Sequence, residues 1–262
     1  MMSHATMNIQ IKSMLLCLLT VLPFPVNAAE FDATLQWARR VELSTPVSGV
    51  VVEVAAQVGQ RVSQDQLLLR LDSKVREANV QQFKAQLTRH TRLRGEAQRE
   101  LDRSQELFNA TLLSEHEMEL ARIGFDAAEA EFQKANAALV QANNELKYSE
   151  VRAPFDAVVV QRFVEVGQTV VTQLQAVPLF VVAQANLMVA RSVVTLAQVR
   201  ALKTEQVVSV KIAGHHGYEG RVTQLGEEPL PKRDESRYAV EVTFATKGIA
   251  LRAGEAAKIV VP

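Results

Sequence analysis

The sequence PVSGVVV at residues 46–52, followed by VGQRV at 58–62, returns 108 positions later as PFDAVVV at 154–160 and VGQTV at 166–170. Each copy has the order strand, turn, Val-Gly-Gln-x-Val, strand, and its valine-rich runs suit a pleated, half-buried surface. A copy of roughly 30 residues is too short to bury a core by itself. We therefore expect the two copies to pack on each other as one small β-sandwich; the alternative is a chance similarity of two valine-rich strands.

The chain between the two copies predicts a long coiled coil. It contains no proline from Val47 to Ala153 and is rich in residues of high helix propensity. Its second half repeats apolar residues at alternating steps of three and four, which is the 3.5-residue period of a coiled-coil seam. The seam residues are Met118, Ala121, Phe125, Ala128, Phe132, Ala135, Leu139, Ala142 and Leu146.

The first half of this insert carries a looser version of the same seam, which His90 and Arg94 weaken. Asn109-Ala110-Thr111 breaks the helical pattern, and Ser114 with Glu117 forms a capping box that begins a second helix. Two antiparallel arms of roughly 35 residues each predict a rod of about 50 Å. An intermolecular coiled coil is the weaker alternative, because both halves of the sandwich must meet at the base. The first-half seam residues are Val80, Phe83, Leu87, His90, Arg94, Ala97, Leu101, Ser104 and Phe108.

The N-terminus is interpreted as a secretory signal peptide over residues 1–28. Lys12 supplies a positive charge, and the apolar stretch Met14–Pro25 is short and interrupted by prolines, unlike a membrane-spanning helix. We expect cleavage near Ala28 and export of the remaining chain to the periplasm, with an uncleaved anchor as the alternative.

The C-terminal quarter predicts short strands separated by turns, as in a small antiparallel barrel. The expected fold class is therefore α+β and elongated: a lipoyl-like sandwich in two halves (44–72 and 150–183), a coiled-coil hairpin inserted in it (73–149), and a β-barrel. We assign residues 30–43 and 184–262 to this barrel.

Composition and motifs indicate neither catalysis nor a cofactor. The 29 basic residues balance the 29 acidic ones, which argues against nucleic-acid binding. The single cysteine, Cys17, excludes a disulfide framework. His215 and His216 are adjacent, but no other histidine or cysteine lies at ligand spacing, so a solvated turn is favoured over a metal site. The protein is accordingly expected not to be an enzyme.

The order of these segments, with the motifs VRAPFDAVVV at 151–160 and LRAGEAAKIVV at 251–261, resembles the periplasmic adaptor family, also called membrane fusion proteins or HlyD-like proteins. The resemblance covers about residues 40–262. It implies a homo-oligomeric ring that bridges an inner-membrane efflux transporter, RND more than ABC, to a TolC-type outer-membrane channel.

The resemblance also implies a docking site at the hairpin tip. Arg103, Leu107 and Ser114 match the Arg-Leu-Ser motif by which such adaptors dock onto the channel. The competing interpretation is local: Ser114 is only a helix cap, and Leu107 only packs at the edge of the seam.

Two departures from the family pattern leave an alternative open. The chain ends at Pro262, without the membrane-proximal domain of longer members, and so leaves its contact with the pump undefined. Lipoyl and biotinyl domains carry a modified lysine at the hairpin that the coiled coil replaces here, and Lys74 lacks the flanking motif of such a lysine, which argues against carrier chemistry. The second hypothesis is an exported lipoyl-like carrier or binding protein that uses the hairpin only as a spacer.

Overall fold

The computed structural model describes residues 29–172, 177–213, 217–231 and 236–262, and within these ranges it contains two four-stranded sheets, a closed six-stranded barrel and three helices. The signal peptide assigned to 1–28 and the pair His215-His216 lie outside the described residues. The elements in chain order are β1 (Ala29–Trp37), β2 (Arg40–Leu43), β3 (Gly49–Val54), β4 (Arg61–Val62), β5 (Leu67–Leu71), α1 (Lys74–Asn109), α2 (Glu115–Lys147), β6 (Glu150–Arg152), β7 (Ala157–Arg162), β8 (Thr169–Val170), β9 (Phe180–Gln184), β10 (Leu187–Thr195), α3 (Leu196–Ala201), β11 (Val207–Ile212), β12 (Tyr218–Leu225), β13 (Arg237–Ala245) and β14 (Ala256–Val261).

The two sequence copies interlock to form the sandwich, as predicted. One sheet has the order β2-β9-β7-β4 and the other β6-β5-β3-β8, so each sheet takes strands from both copies. The Val51 N–H donates to the Gln168 carbonyl at 2.9 Å, and the Gly167 N–H donates to the Val51 carbonyl at 2.8 Å. Shifted by 108 residues, the same two bonds join Val159 to Gln60 and Gly59. Each copy therefore completes the other.

The Val-Gly-Gln motif recurs because the turn needs both the glycine and the glutamine of the motif. Gly59 and Gly167 have φ values of +84° and +88°, a left-handed conformation that disfavours a side chain. The Gln60 side-chain carbonyl accepts the Gln57 N–H at 2.9 Å, and Gln168 accepts the Glu165 N–H in the same way at 3.1 Å. These bonds satisfy backbone donors that the turn would otherwise leave unpaired.

The helices α1 and α2 pair along the predicted seam. All nine seam positions of α2 are buried or half-buried, and Ala135 and Ala142 are the most buried of them. The seam of α1 is also confirmed except at its end, where Phe108 is exposed. The 36 residues of α1, at 1.5 Å per residue, give a rod of about 50 Å.

An ion pair between the two helices explains the polar interruption of the α1 seam. The Arg94 guanidinium pairs with the Glu129 carboxylate on α2 and lies 5.0 Å from the centre of the Phe132 ring. Gln133 donates to the same carboxylate at 2.7 Å, and this bond, with the Arg94 charge, lowers the pKa of Glu129. Arg94 therefore fixes the relative position of the helices where a leucine would only pack.

The hairpin is bonded to the sandwich at its base. Its ends continue into β5 and β6, which pair with each other, and the Leu71 N–H donates to the Ser149 carbonyl at 2.8 Å. Arg76 on α1 donates to the Ser48 carbonyl, and Thr45 donates to the Tyr148 carbonyl at 2.6 Å. These bonds restrict the direction in which the rod leaves the sheet.

The barrel has the strand order β1-β10-β13-β12-β11-β14 and closes through the pairing of β14 with β1. The assignment of residues 30–43 to this barrel is wrong for its second part. The strand β1 belongs to the barrel, but β2 pairs with β9 in the sandwich, where Val41 and Leu43 pack against the core. The chain crosses from barrel to sandwich between Trp37 and Arg40.

Candidate functional site

The turn between the two helices places the predicted docking residues at the far end of the hairpin. Arg103 and Leu107 lie one turn apart on α1 and share a face. Arg94 of α1 contacts Glu129 of α2. Arg103 lies as many residues beyond Arg94 as Leu120 lies before Glu129, so Arg103 and Leu120 are at the same level of the antiparallel hairpin. Ser114 precedes the first residue of α2. We call Arg103, Leu107, Phe108, Leu112, Ser114 and Leu120 the tip surface.

Ser114 caps α2, as the sequence predicted. Its hydroxyl accepts the Glu117 N–H at 3.3 Å and donates to the Glu117 carboxylate at 2.6 Å, while the Ser114 N–H donates to that carboxylate at 3.0 Å. The side-chain and backbone bonds from Ser114 lower the pKa of Glu117. Because a hydroxyl has two acceptor lone pairs, Ser114 keeps one of them for a further donor.

Arg103 is exposed and weakly held. Its side chain is 64% exposed, and one terminal nitrogen donates to Glu100 at 2.9 Å on the same helix. An exposed pair of this kind contributes less than about 1 kcal/mol. Since a guanidinium has five N–H donors, Arg103 can bind carbonyls or a carboxylate of another protein with little loss.

Exposed apolar side chains occur in the same outer part of the hairpin as Arg103, and two of them, Leu112 and Leu120, were not singled out from the sequence. Leu112 in the turn is 74% exposed, Leu120 is 53% exposed, and Leu107 and Phe108 are also exposed. Grouped exposed apolar side chains are a common feature of protein-binding surfaces. The exposure of Leu120 could have been predicted from the seam pattern, because Leu120 lies between the seam residues Met118 and Ala121 and cannot face α1.

The described part of the chain contains no cluster of three or more histidine, cysteine, aspartate or glutamate side chains that could hold a metal ion. None of the described helices has the length and hydropathy of a membrane-spanning segment. Lys74 begins α1, where its N–H donates to Asp72 at 3.1 Å. The geometry of the tip suits binding to another protein.

A sandwich of two interlocked copies, interrupted by a coiled-coil hairpin and joined to a six-stranded barrel, defines the fold of the membrane fusion proteins. The family described as CzcB-like, barrel-sandwich hybrid domain matches residues 39–184. The chain therefore belongs to this family, and its resemblance to membrane fusion proteins is confirmed.

Named relatives and solved structures agree with this assignment. The multidrug resistance protein MdtA of Photorhabdus laumondii subsp. laumondii is 30% identical over 134 residues, which are 51% of this chain and 33% of MdtA. The macrolide export protein MacA of Yersinia pestis is 27% identical over 195 residues, 68% of this chain and 52% of MacA. The crystal structure of a MacA–MexA chimera, with the α-hairpin domain of Pseudomonas aeruginosa MexA, superimposes with a TM-score of 0.67 at 21% identity, covering 89% of this chain and 80% of the chimera.

The chain spans about half of the MacA relative and one third of the MdtA relative. The likeness to the chimera, at 21% identity, concerns the fold alone.

Proposed function

We propose that this chain is a periplasmic adaptor that links an inner-membrane efflux transporter to a TolC-type outer-membrane channel and contributes to the export of drugs or other small molecules. The observation that carries the proposal is the tip surface, where an exposed arginine and exposed leucines stand at the end of a rod of about 50 Å. The names of the relatives, multidrug resistance protein and macrolide export protein, support it.

The tip docks on the channel through Arg103, Leu107 and Ser114 in this proposal. Arg103 exchanges its bond to Glu100 for carbonyls or a carboxylate of the channel, and Ser114 accepts one donor while it still caps α2. Leu107, Leu112 and Leu120 bury their exposed area against channel helices. Full burial of a leucine side chain contributes about 1.5–3 kcal/mol.

A ring of several copies follows from the small size of one tip. A few side chains bury far less than the roughly 1,200 Å² of a stable interface, so a single hairpin would bind weakly. Several tips held together multiply this affinity through their effective concentration. We propose that the sandwich and the barrel form the ring and contact the pump, and that this pump is of the RND type and not of the ABC type. The signal peptide at 1–28 directs the chain to the periplasm.

A paired charge reversal on α1 tests the docking. Arg103→Asp places a carboxylate on the tip surface and is expected to reduce drug efflux in cells severalfold. The matched control is Arg99→Asp, because Arg99 is 65% exposed and pairs with Glu96 at the same i,i+3 spacing, one turn nearer the base. The control is expected to leave efflux unchanged.

Crosslinking supplies a readout that does not depend on the transported drug. Cys17 lies in the predicted signal peptide, so Leu112→Cys would provide the single cysteine of the mature chain. We expect crosslinks from this position to the outer-membrane channel, and fewer when Arg103→Asp is added. Two results together, at normal expression, would favour the second hypothesis, an exported lipoyl-like carrier or binding protein with a spacer. These are unchanged efflux with Arg103→Asp and no crosslink from Leu112→Cys to the channel.

A further inference from the structure

A cavity of about 470 Å³ lies between the sandwich and the barrel. Val58, Val158 and Val160 line it from the sandwich, and Trp37, Met188 and Leu251 line it from the barrel side. Its volume is within the range of roughly 300–1,000 Å³ that small-molecule sites have, and such sites often lie where two domains meet. The cavity is remote in sequence from the hairpin tip and has no role in the docking proposed above.

Two arginines supply positive charge at this apolar cavity. Arg61 donates to the Asn186 side-chain carbonyl at 3.2 Å and to the Gly248 carbonyl at 3.2 Å, both of them neutral acceptors. Arg252 also lines the cavity, and among the described residues its guanidinium has no carboxylate partner. The Glu255 carboxylate accepts the backbone N–H of Arg252 at 3.0 Å, and Glu255 does not line the cavity. Among the described residues neither guanidinium forms an ion pair, so positive charge lies beside an apolar wall.

We propose that this cavity binds an amphipathic organic anion. The aromatic or aliphatic body of the ligand packs on Trp37, Met188 and the valines, and its carboxylate or sulfonate binds Arg252 and Arg61. Burial of the apolar body supplies affinity, and charge-assisted hydrogen bonds to the two guanidiniums select an anion over a neutral molecule of the same shape.

The chain carries its own reporter for this site. Trp37 is the single tryptophan and lines the cavity, so its fluorescence responds to a ligand bound there. A suitable pair of probes is 8-anilinonaphthalene-1-sulfonate and N-phenyl-1-naphthylamine, which share their rings and differ in the sulfonate. We expect one molecule of the sulfonate probe to bind to each chain and to accept energy from the excited Trp37 side chain.

Substitution of Arg252 tests the charge selection. Arg252→Gln is expected to weaken the sulfonate at least about tenfold, the factor that corresponds to loss of a hydrogen bond to a charged group. The neutral probe should bind the variant and the wild type alike. Arg221→Gln is the matched control, because Arg221 is an exposed arginine of β12 outside the cavity. It should change neither probe.

A second variant tests whether both probes bind inside this cavity. Ala250→Leu adds volume to a residue that lines the cavity and should weaken both probes, whatever their charge. Circular dichroism checks that each variant is folded. The proposal is overturned if the sulfonate binds Arg252→Gln as tightly as the wild type, if Arg221→Gln weakens it equally, or if Ala250→Leu affects neither probe.

Discussion

Replacing Ala135 by leucine tests the pairing of the two long helices. Ala135 is only 7% exposed, and α1 is the element against which α2 packs. Counted from the contact between Glu129 and Arg94, it lies level with position 88 of α1, where Leu87 belongs to the facing seam. A methyl group at this level allows the helices to approach closely, so a larger side chain must push them apart.

The expected cost follows from the added volume. Leucine brings three more carbon atoms into a packed seam, and overpacking of this size destabilises by about 1–3 kcal/mol. Leucine and alanine have similar helix propensities, so the loss cannot come from the helix itself. Ala137→Leu is the matched control: Ala137 is exposed two residues further along α2, and its replacement should change stability by less than about 0.5 kcal/mol.

Circular dichroism at 222 nm during urea or thermal unfolding measures the difference, because among the described residues nearly all helical ones belong to α1 and α2. For a unit of the hairpin's size, 1 kcal/mol shifts Tm by about 4–8 °C. The loss of the helical signal is analysed separately from the unfolding of the sandwich and the barrel, because these domains can unfold independently. If Ala135→Leu and Ala137→Leu have the same midpoint, the helices do not pair in the register described.

The remaining predictions concern the cap of α2 and the turns of the sandwich. Ser114→Ala should destabilise the hairpin by about 1 kcal/mol in the same unfolding assay, because it removes one side of the capping box. Since Ser114 lowers the pKa of Glu117 below its ordinary 4.5, the stability that this carboxylate contributes is present above that value and is lost as the pH falls through the lower folded pKa. As the pH falls from about 5 through the folded pKa of Glu117, the wild type should therefore lose more hairpin stability than Ser114→Ala, and equal losses would contradict this. Gly167→Ala should destabilise the sandwich by about 1 kcal/mol, because its φ is +88°, whereas Gly124→Ala, with open space around it in α2, should stabilise the hairpin by a similar amount. Chemical denaturation of the two variants measures both effects, and a Gly167→Ala variant as stable as the wild type would show that the turn conformation carries no strain.

The sequence predicted the hairpin well because a coiled-coil seam is a local, repeated pattern. Each residue of α2 that was expected to face α1 does so, and the capping box at Ser114 marks the beginning of the helix correctly. The end of the α1 seam at Phe108 was wrong, because the turn begins there and α2 no longer covers that side chain. The polar residue Arg94 weakened the prediction although it makes a contact between the helices.

Features that depend on distant parts of the chain were not predictable in the same way. Residues 30–43 were all assigned to the barrel, yet β2 pairs with β9, which lies some 140 residues later. Nothing local marks the crossing at Ala38–Arg39, because both flanking segments alternate as strands do. The cavity was even less predictable from the sequence. Its walls come from residue 37 and from residues within 58–61, 158–160, 185–188 and 246–252. Only the folded chain brings these segments together.

The insertion of the hairpin between two paired strands links the tip to the sandwich mechanically. Because β5 and β6 are hydrogen-bonded neighbours, α1 and α2 begin and end side by side, and a coiled coil with another chain would have to break that pairing. Arg76 and Thr45 then restrict the angle of the rod, and the pair Arg94–Glu129 restricts sliding of one helix along the other. The position of Arg103 is consequently set by the position of the sandwich. In a ring built from sandwiches, the spacing of the tips would follow from the spacing of the bases, and a displacement at one end would be transmitted to the other.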